Sequence, residues 1–402
     1  MNIYISGISG TGMGPLALMA KSAGFNVFGS DLKKGAILGE LENAGIEVKI
    51  GPQNGEFFKQ KLQDGIDWFV YTSALPETHP ELMLAKENNI KSTKRDDFTA
   101  FLVDELGLKM VAVAGTHGKT TTTAMIIWAA LKMRLPVSYI VGTTLGFAPS
   151  GAYKKGDEYF IYEADEYDRN FLKFHPWLAV IPSVSYDHPD IYKTEAEYVA
   201  AFEQFESQSN KVIKTGLASN RFSLAGEVRR EDAGLAAAAI CEMDLAAGEP
   251  EIISVLNEFP GVGRRFEKIR DGLYSDYAHH PEEIAATLGI AREECKRLNK
   301  KGVIAIYEPH QNSRQHEVRS GYKSAFNAAD KVFWLPTYLT REDENLTILT
   351  PDDFIKDLEN ISAKPAELGD KLKQTIKKYC DENYLVLLMT AGPADSWLRK
   401  NF

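Results

Sequence analysis

Lys119 stands behind Gly115, Thr116, His117 and Gly118 and is followed by Thr120 and Thr121, residue types that can hold a nucleoside triphosphate and its metal. Glycines let backbone N–H groups turn toward phosphate oxygens, a helix N-terminus adds partial positive charge, and the lysine adds a full one. Either threonine hydroxyl can reach the cation. The usual phosphate loop reads G-x-x-x-x-G-K-[ST], and here Val113 occupies the first glycine position, so the run matches the narrower form G-[TS]-x-G-K-T-[TS]. The plain alternative is a Gly-Lys-Thr that merely starts a helix. The flanks argue against it. Lys109–Ala114 reads as a short buried strand, and Thr120–Met133 as an amphipathic helix.

Downstream, two more strand-like runs end in charged clusters. Glu158–Tyr162 leads into Glu163-Ala-Asp165-Glu166-Tyr-Asp168, and Leu178–Ile181 leads to Asp187-His188-Pro-Asp190. Carboxylates suit Mg²⁺, and an imidazole can complete a shell that keeps its waters. By itself the acidic cluster could be a solvated turn, and His188 a hydrogen-bonded structural histidine. Near the start, strand Asn2–Ser6 is followed by Gly7, Gly10, Gly12 and Gly14, a helix to about Ala23, and a second strand ending at Ser30-Asp31. This is a βαβ opening with an acidic residue after its second strand. The strict G-x-G-x-x-G is absent, which disfavours a nicotinamide dinucleotide and an oxidoreductase. A diphosphate-bearing nucleotide on this turn fits better, with an unliganded tight turn as the alternative.

The elements around these residues alternate between strand-like and helix-like throughout the 402 residues, as in α/β layers. Three segments emerge: 1–105 with the glycine turn, 106–258 with the phosphate loop, and 259–402. The last opens with Gly261-Val-Gly-Arg264-Arg265-Phe-Glu267, a hairpin turn with adjacent arginines. Strand Leu273–Ser275 then reaches Asp276-Tyr-Ala-His279-His280-Pro281, and the proline starts a helix. Strands Val303–Tyr307 and Tyr384–Leu388 follow. The net charge of −10 argues against a nucleic-acid partner. Cys241, Cys295 and Cys380 lack metal or disulfide spacing. Met1–Gly10 has no basic leader and no apolar run reaches membrane-spanning length, so a soluble, cytoplasmic chain without membrane insertion is expected.

Taken in order, GxxGTGM, Ser30-Asp31, Thr72-Ser73-Ala-Leu-Pro76, GTHGKTTTT, EADEYD, DHPDIY, GVGRRFE and DYAHHP resemble the Mur ligase family over nearly the whole chain. These are ATP-dependent amide ligases of peptidoglycan precursor synthesis, the pathway behind cell-wall biogenesis, cell shape and cell division. The resemblance implies three domains: a Rossmann-like UDP-sugar domain, a shortened central P-loop ATPase, and a Rossmann-like amino-acid domain. Within the family the motifs are similar to the branch that joins L-alanine to UDP-N-acetylmuramate, and beside it to the branch that reattaches a recycled tripeptide. A UDP-sugar-binding protein without catalysis is the reading from another class.

The implied chemistry is activation of the muramoyl carboxylate by ATP as an acyl phosphate, followed by amine attack. By matching positions, Gly115–Thr121 would bind ATP, with Lys119 on the β/γ-phosphates, Arg265 on the γ-phosphate and Asp276 on the ribose. Thr120, Thr121 and Glu163 would hold Mg²⁺, and His188 a second one. Lys119, His188 and Arg265 would be the catalytic set. Gly10, Thr11, Gly12, Met13, Asp31 and Ser73 would hold the UDP-sugar, while His279, His280, His310 and Arg314 complete the substrate-binding residues. Tyr198-Val-Ala-Ala-Phe202 lacks the lysine that sister ligases carbamylate, in keeping with the alanine-adding branch. Two departures stand out. Only about forty residues separate Tyr192 from the alanine-rich run Leu235–Ile240, and Leu224–Ala233 lacks the asparagine that relatives place beside adenine. Base recognition is then looser, supplied differently, or absent. Pro309-His310-Gln-Asn-Ser-Arg314 lies between the loops of the two branches.

Overall fold

The computed structural model describes every residue except 73–74, 189–190, 341, 344 and 360, so Ser73 lies outside the described residues. The chain builds three sheets. The first holds β1 (Asn2–Ser6), β2 (Asn26–Asp31), β3 (Glu47–Ile50), β4 (Trp68–Tyr71) and β5 (Lys91–Lys94), all parallel in the order β3-β2-β1-β4-β5. Strand order reverses between β1 and β4, and at such a point the crevice beyond the strand ends binds ligands. The glycine turn leaves β1 there.

The second sheet runs β11-β10-β6-β9-β7-β8 and is built from β6 (Lys109–Val113), β7 (Val137–Ile140), β8 (Gly151–Ala152), β9 (Tyr159–Glu163), β10 (Leu178–Val180) and β11 (Val212–Ile213). Among the described residues only β8 is antiparallel in it. Because helices cover both faces of such a sheet, its central strands are apolar on both sides. Met110, Val111, Ala112 and Val113 are all buried. Register sets Val113 beside Glu163 on one flank and beside Val180 on the other. The phosphate loop and both charged clusters therefore leave the same edge of the sheet.

The third sheet, in the order β12-β13-β17-β14-β15-β16, comprises β12 (Glu267–Arg270), β13 (Leu273–Asp276), β14 (Val303–Glu308), β15 (Lys331–Trp334), β16 (Ser362–Pro365) and β17 (Leu385–Thr390). Here, among the described residues, only β12 is antiparallel. The expected α/β class with three sheets is what the chain adopts. Strand predictions match to within a residue or two, since short apolar runs bounded by turn residues delimit them tightly.

Residues Met1–Phe222 and Glu231–Pro260 form one compact unit, and Ser223–Arg230 with Gly261–Phe402 a second. The first two sheets share the first unit. One apolar cluster runs from Ile3, Leu16 and Trp68 through Ala112 and Tyr162 to Phe202. Polar contacts join the sheets as well: the Tyr162 hydroxyl donates to Asp96 Oδ1 at 2.8 Å, and the Ser150 N–H donates to Glu40 Oε2 at 2.8 Å. Among the described residues no helix is long and apolar enough to cross a membrane. The three cysteines are free.

Candidate nucleotide and substrate site

The phosphate loop spans the gap between β6 and the helix Lys119–Lys132. Gly118 caps that helix at φ 81°, in the left-handed region where a Cβ is disfavoured. A Cβ there would lie 2.6 Å from Asp232 Oδ1 and 3.0 Å from Pro182 Cβ. Gly118→Ala should therefore cost about 1–3 kcal/mol from backbone conformation alone. Thermal melts should show that loss, and ATP binding should fall with it. An unchanged melting temperature would show that the loop tolerates the side chain.

Neighbouring residues clasp the loop. Thr116 Oγ1 donates to the Ser185 carbonyl at 2.7 Å, accepts the Ser185 N–H at 2.8 Å, and meets the Tyr198 hydroxyl at 2.8 Å. The His117 N–H donates to Ser183 Oγ at 2.9 Å. Thr122 Oγ1 donates to buried Asp232 at 3.0 Å. Sequence reading quoted Tyr198 and Asp232 only within runs noted for a missing lysine and a missing asparagine, and gave none of Ser183, Tyr198 and Asp232 a role.

Lys119 Nζ sits 2.8 Å from Glu166 Oε2 and also donates to the Gly115 carbonyl. Side-chain exposure is 16% for Lys119 and 2% for Glu166, so the pair is largely withdrawn from water. Burial pushes the Glu166 carboxyl up, but Lys119 and His188 outweigh it and hold the group below its ordinary value. For Lys119 burial opposes the charged form, and Glu166, Asp165 and Glu163 overcome it, leaving the ammonium raised. Asp165 goes the other way: burial and the neighbouring Glu166 charge raise it, against Lys119 and Arg95. Adjacent carboxyls are thus shifted in opposite directions.

His188 Nε2 approaches Glu166 Oε1 at 3.4 Å and Asp187 Oδ2 at 3.6 Å, and its ring meets Tyr167 edge-on at 5.2 Å. Its φ is 59°, and Asp168 and Arg169 are left-handed too, at 53° and 55°. Such conformations persist only where the surroundings impose them. Lys94, 3.4 Å from Asp168, and the Tyr192 ring, 5.0 Å from the Arg169 guanidinium, are part of those surroundings.

Thr120 Oγ1 donates to Glu163 Oε1 at 2.7 Å, and Glu163 Oε2 accepts the Gly142 N–H at 3.3 Å. A hydroxyl and a carboxylate side by side past the loop lysine are hard oxygen donors that fit Mg²⁺ with water completing its shell. Thr121 follows in the same turn, half-buried. Sequence reading selected Glu163 from the acidic cluster and passed over Glu166, the residue that grips the lysine. The short spacing of that cluster was the available signal.

On the first sheet, Gly10 and Thr11 are exposed and Gly12 is half-buried, whereas the Met13 side chain is 4% exposed and belongs to the core. Met13 can offer a ligand little beyond its backbone. Asp31 accepts the N–H of Ser9 at 2.9 Å and of Lys33 at 3.2 Å, bracing the turn.

In the second unit, Val262 and Arg265 form the bridge of the expected hairpin, and the Arg264 and Arg265 guanidinium groups lie 4.5 and 5.1 Å from the Tyr277 ring. Asp276 accepts the N–H of Phe266 at 2.6 Å and of Ala278 at 2.7 Å. Burial pushes its carboxyl up against Arg265 and those N–H groups. Its visible work is holding the arginine loop. His280 caps the helix Pro281–Arg297 through a capping box with Glu283. His279 Nδ1 lies 3.2 Å from Glu283, and its ring is 6.0 Å from that of His310, which faces Tyr338 at 5.8 Å. Arg314 is half-buried on the helix Asn312–Val318, which Gln311 enters at φ 66°.

Residues 2–105 match the Mur ligase family catalytic domain, and residues 113–221 the Mur ligase middle domain. A UDP-N-acetylmuramate–L-alanine ligase of Clostridium beijerinckii is 30% identical over 449 aligned positions, covering 97% of this chain and 95% of that one. Since this chain has 402 residues, the relative carries segments that it lacks. Among solved structures, the UDP-N-acetylmuramate-alanine ligase of Thermotoga maritima superposes with a TM-score of 0.79 at 23% identity, covering 100% of this chain and 98% of that one. A murein peptide ligase of Psychrobacter arcticus superposes at 0.64 with 22% identity, covering 100% and 98%. With a relative this similar over nearly its full length, and with both family domains matched in order, the chain belongs to the Mur ligase family.

Proposed function

We propose that this protein is an ATP-dependent ligase that joins L-alanine to the carboxylate of UDP-N-acetylmuramate in the cytoplasm. The observation that carries the reading is Lys119 paired with buried Glu166 beside the Thr120–Glu163 couple, at the edge where β6 and β9 end. A muramoyl carboxylate oxygen attacks the γ-phosphorus, the β–γ bridge bond breaks, and ADP leaves. The alanine amine then attacks the acyl carbon, loses a proton, and phosphate departs. Positioning and charge stabilisation supply most of the catalysis in both steps. Lys119 binds the β/γ-phosphates and keeps its charge because Glu166 faces it. Bound at Thr120, Thr121 and Glu163, Mg²⁺ would supply neutralisation of phosphate charge, and His188 is assigned to a second ion on its motif position. Arg265 and Asp276 are likewise assigned to the nucleotide, and His279, His280, His310 and Arg314 to the substrate, by motif. The domain division 1–105, 106–258 and 259–402 belongs to the same reading, with the glycine-turn domain taking the UDP-sugar.

Phosphate release with ATP, Mg²⁺ and UDP-N-acetylmuramate, run against alanine, glycine, serine and the tripeptide, tests it. Release should require all substrates and be fastest with alanine. Turnover with tripeptide alone would make this a recycling ligase. UDP-sugar binding without any release would make it a non-catalytic binder.

A further inference from the structure

We infer that Arg95 is a substrate-binding residue whose guanidinium holds an anionic oxygen of the UDP-sugar on the Gly10–Gly12 turn, an inference that rests on the function proposed above. Arg95 follows β5 directly and opens the helix Arg95–Glu105, at the carboxyl edge of the first sheet. Its Nε donates to Asp96 Oδ1 at 3.0 Å, and Nη2 lies 3.0 Å from the same oxygen. Asp96 in turn accepts the Tyr162 hydroxyl at 2.8 Å, and its side chain is 3% exposed. One edge of the guanidinium is therefore fastened to a carboxylate oxygen that Tyr162 also holds.

The other end is not. Among the described residues no acceptor is bonded to Nη1, and the side chain keeps 24% exposure. Nη1 lies 2.5 Å from the place a Cβ on Gly12 would occupy, so only glycine lets it come this close to the turn. A planar guanidinium with one edge committed and the other open is preorganised for a phosphate or carboxylate oxygen. Thr11 on the same turn is exposed and Gly12 half-buried, so the turn is open to a ligand, and glycine-rich turns can present backbone N–H groups to an anion. The anchor has a direction as well: Tyr162 immediately precedes Glu163 on β9. Arg95 is thus tied to the strand that carries the proposed metal carboxylate, and its charge acts on Asp165. Neither Arg95 nor Asp96 belongs to a motif, which is why spacing alone passes over them.

Calorimetric titration of the full chain with UDP, UDP-N-acetylglucosamine and UDP-N-acetylmuramate, without ATP, tests this. Arg95→Ala should weaken UDP-N-acetylmuramate by about tenfold to a hundredfold, the range for a hydrogen bond to a charged group. KM for ATP should stay near wild type. Equal weakening of all three ligands identifies a diphosphate contact, and weakening of UDP-N-acetylmuramate alone identifies the sugar carboxylate. Binding within twofold of wild type for every ligand overturns the inference. Asp96→Asn separates positioning from packing: it keeps the shape and should give an intermediate loss. Should Arg95→Ala not fold, Arg95→Gln, which keeps a polar stem but removes the charged fork, decides on the same criteria. A wild-type chain that binds none of the ligands defeats the proposed function itself, whereas a binding wild type with indifferent variants defeats only the role of Arg95.

Discussion

Lys119→Ala should lower ATP-dependent phosphate release by roughly a thousandfold, the upper range for deleting a charge-stabilising contact in a catalytic site. Lys119 is the cation that the loop itself supplies, held at 2.8 Å by Glu166 with little water to screen it. UDP-sugar binding should be unaffected, because the glycine turn belongs to the first sheet and the lysine to the second. Single-turnover formation of ADP is the direct measurement. If the variant makes ADP at more than about a tenth of the wild-type rate, the assigned role of the loop is wrong.

Glu166→Gln should carry the largest stability cost of any single site change here, about 3–5 kcal/mol for breaking a buried ion pair. The amide keeps the shape but removes the paired carboxylate, leaving Lys119 with only the Asp165 and Glu163 charges and with His188 beside it. Release of phosphate should fall as well, since an unsupported lysine no longer has its ammonium raised. The pH dependence gives a second readout. Glu166 is held below its ordinary value of 4.5, so its stabilisation is complete above that value and lost as pH falls through the folded value. Asp165 is raised above 3.8, so its contribution is complete below 3.8 and is lost as pH rises through its folded value. The wild type should therefore lose stability more steeply than Glu166→Gln on acidification below pH 4.5. Urea unfolding from neutral pH to well below pH 4.5 measures it. Parallel acid limbs for the two proteins would remove Glu166 as the source.

Much of the architecture could be read in advance because it rests on local rules. Strand β6 is an apolar run between a turn and a glycine loop, and β17 is another bounded the same way. The glycine spacing that marks the phosphate loop is local as well, because Gly118 must adopt φ 81° wherever the loop forms. Four carboxylates in six residues announced an acidic site after β9. Which of them faces the lysine was not legible. That choice depends on how the chain leaves β9, and Asp168 and Arg169 turn it through left-handed conformations that no composition rule predicts.

The sequence by itself determined the α/β class, the order of strand, loop and helix, and the identity of the chemical groups, since periodicity and glycine placement act over a few residues. Tertiary structure alone decided the partnerships: Lys119 with Glu166, Thr116 with Tyr198, Gly118 against Asp232, and Arg95 against Gly12. These join residues separated by 47, 82, 114 and 83 positions. Only strand order and register bring such distant residues within hydrogen-bonding or van der Waals distance, and there burial makes each pairing energetically decisive.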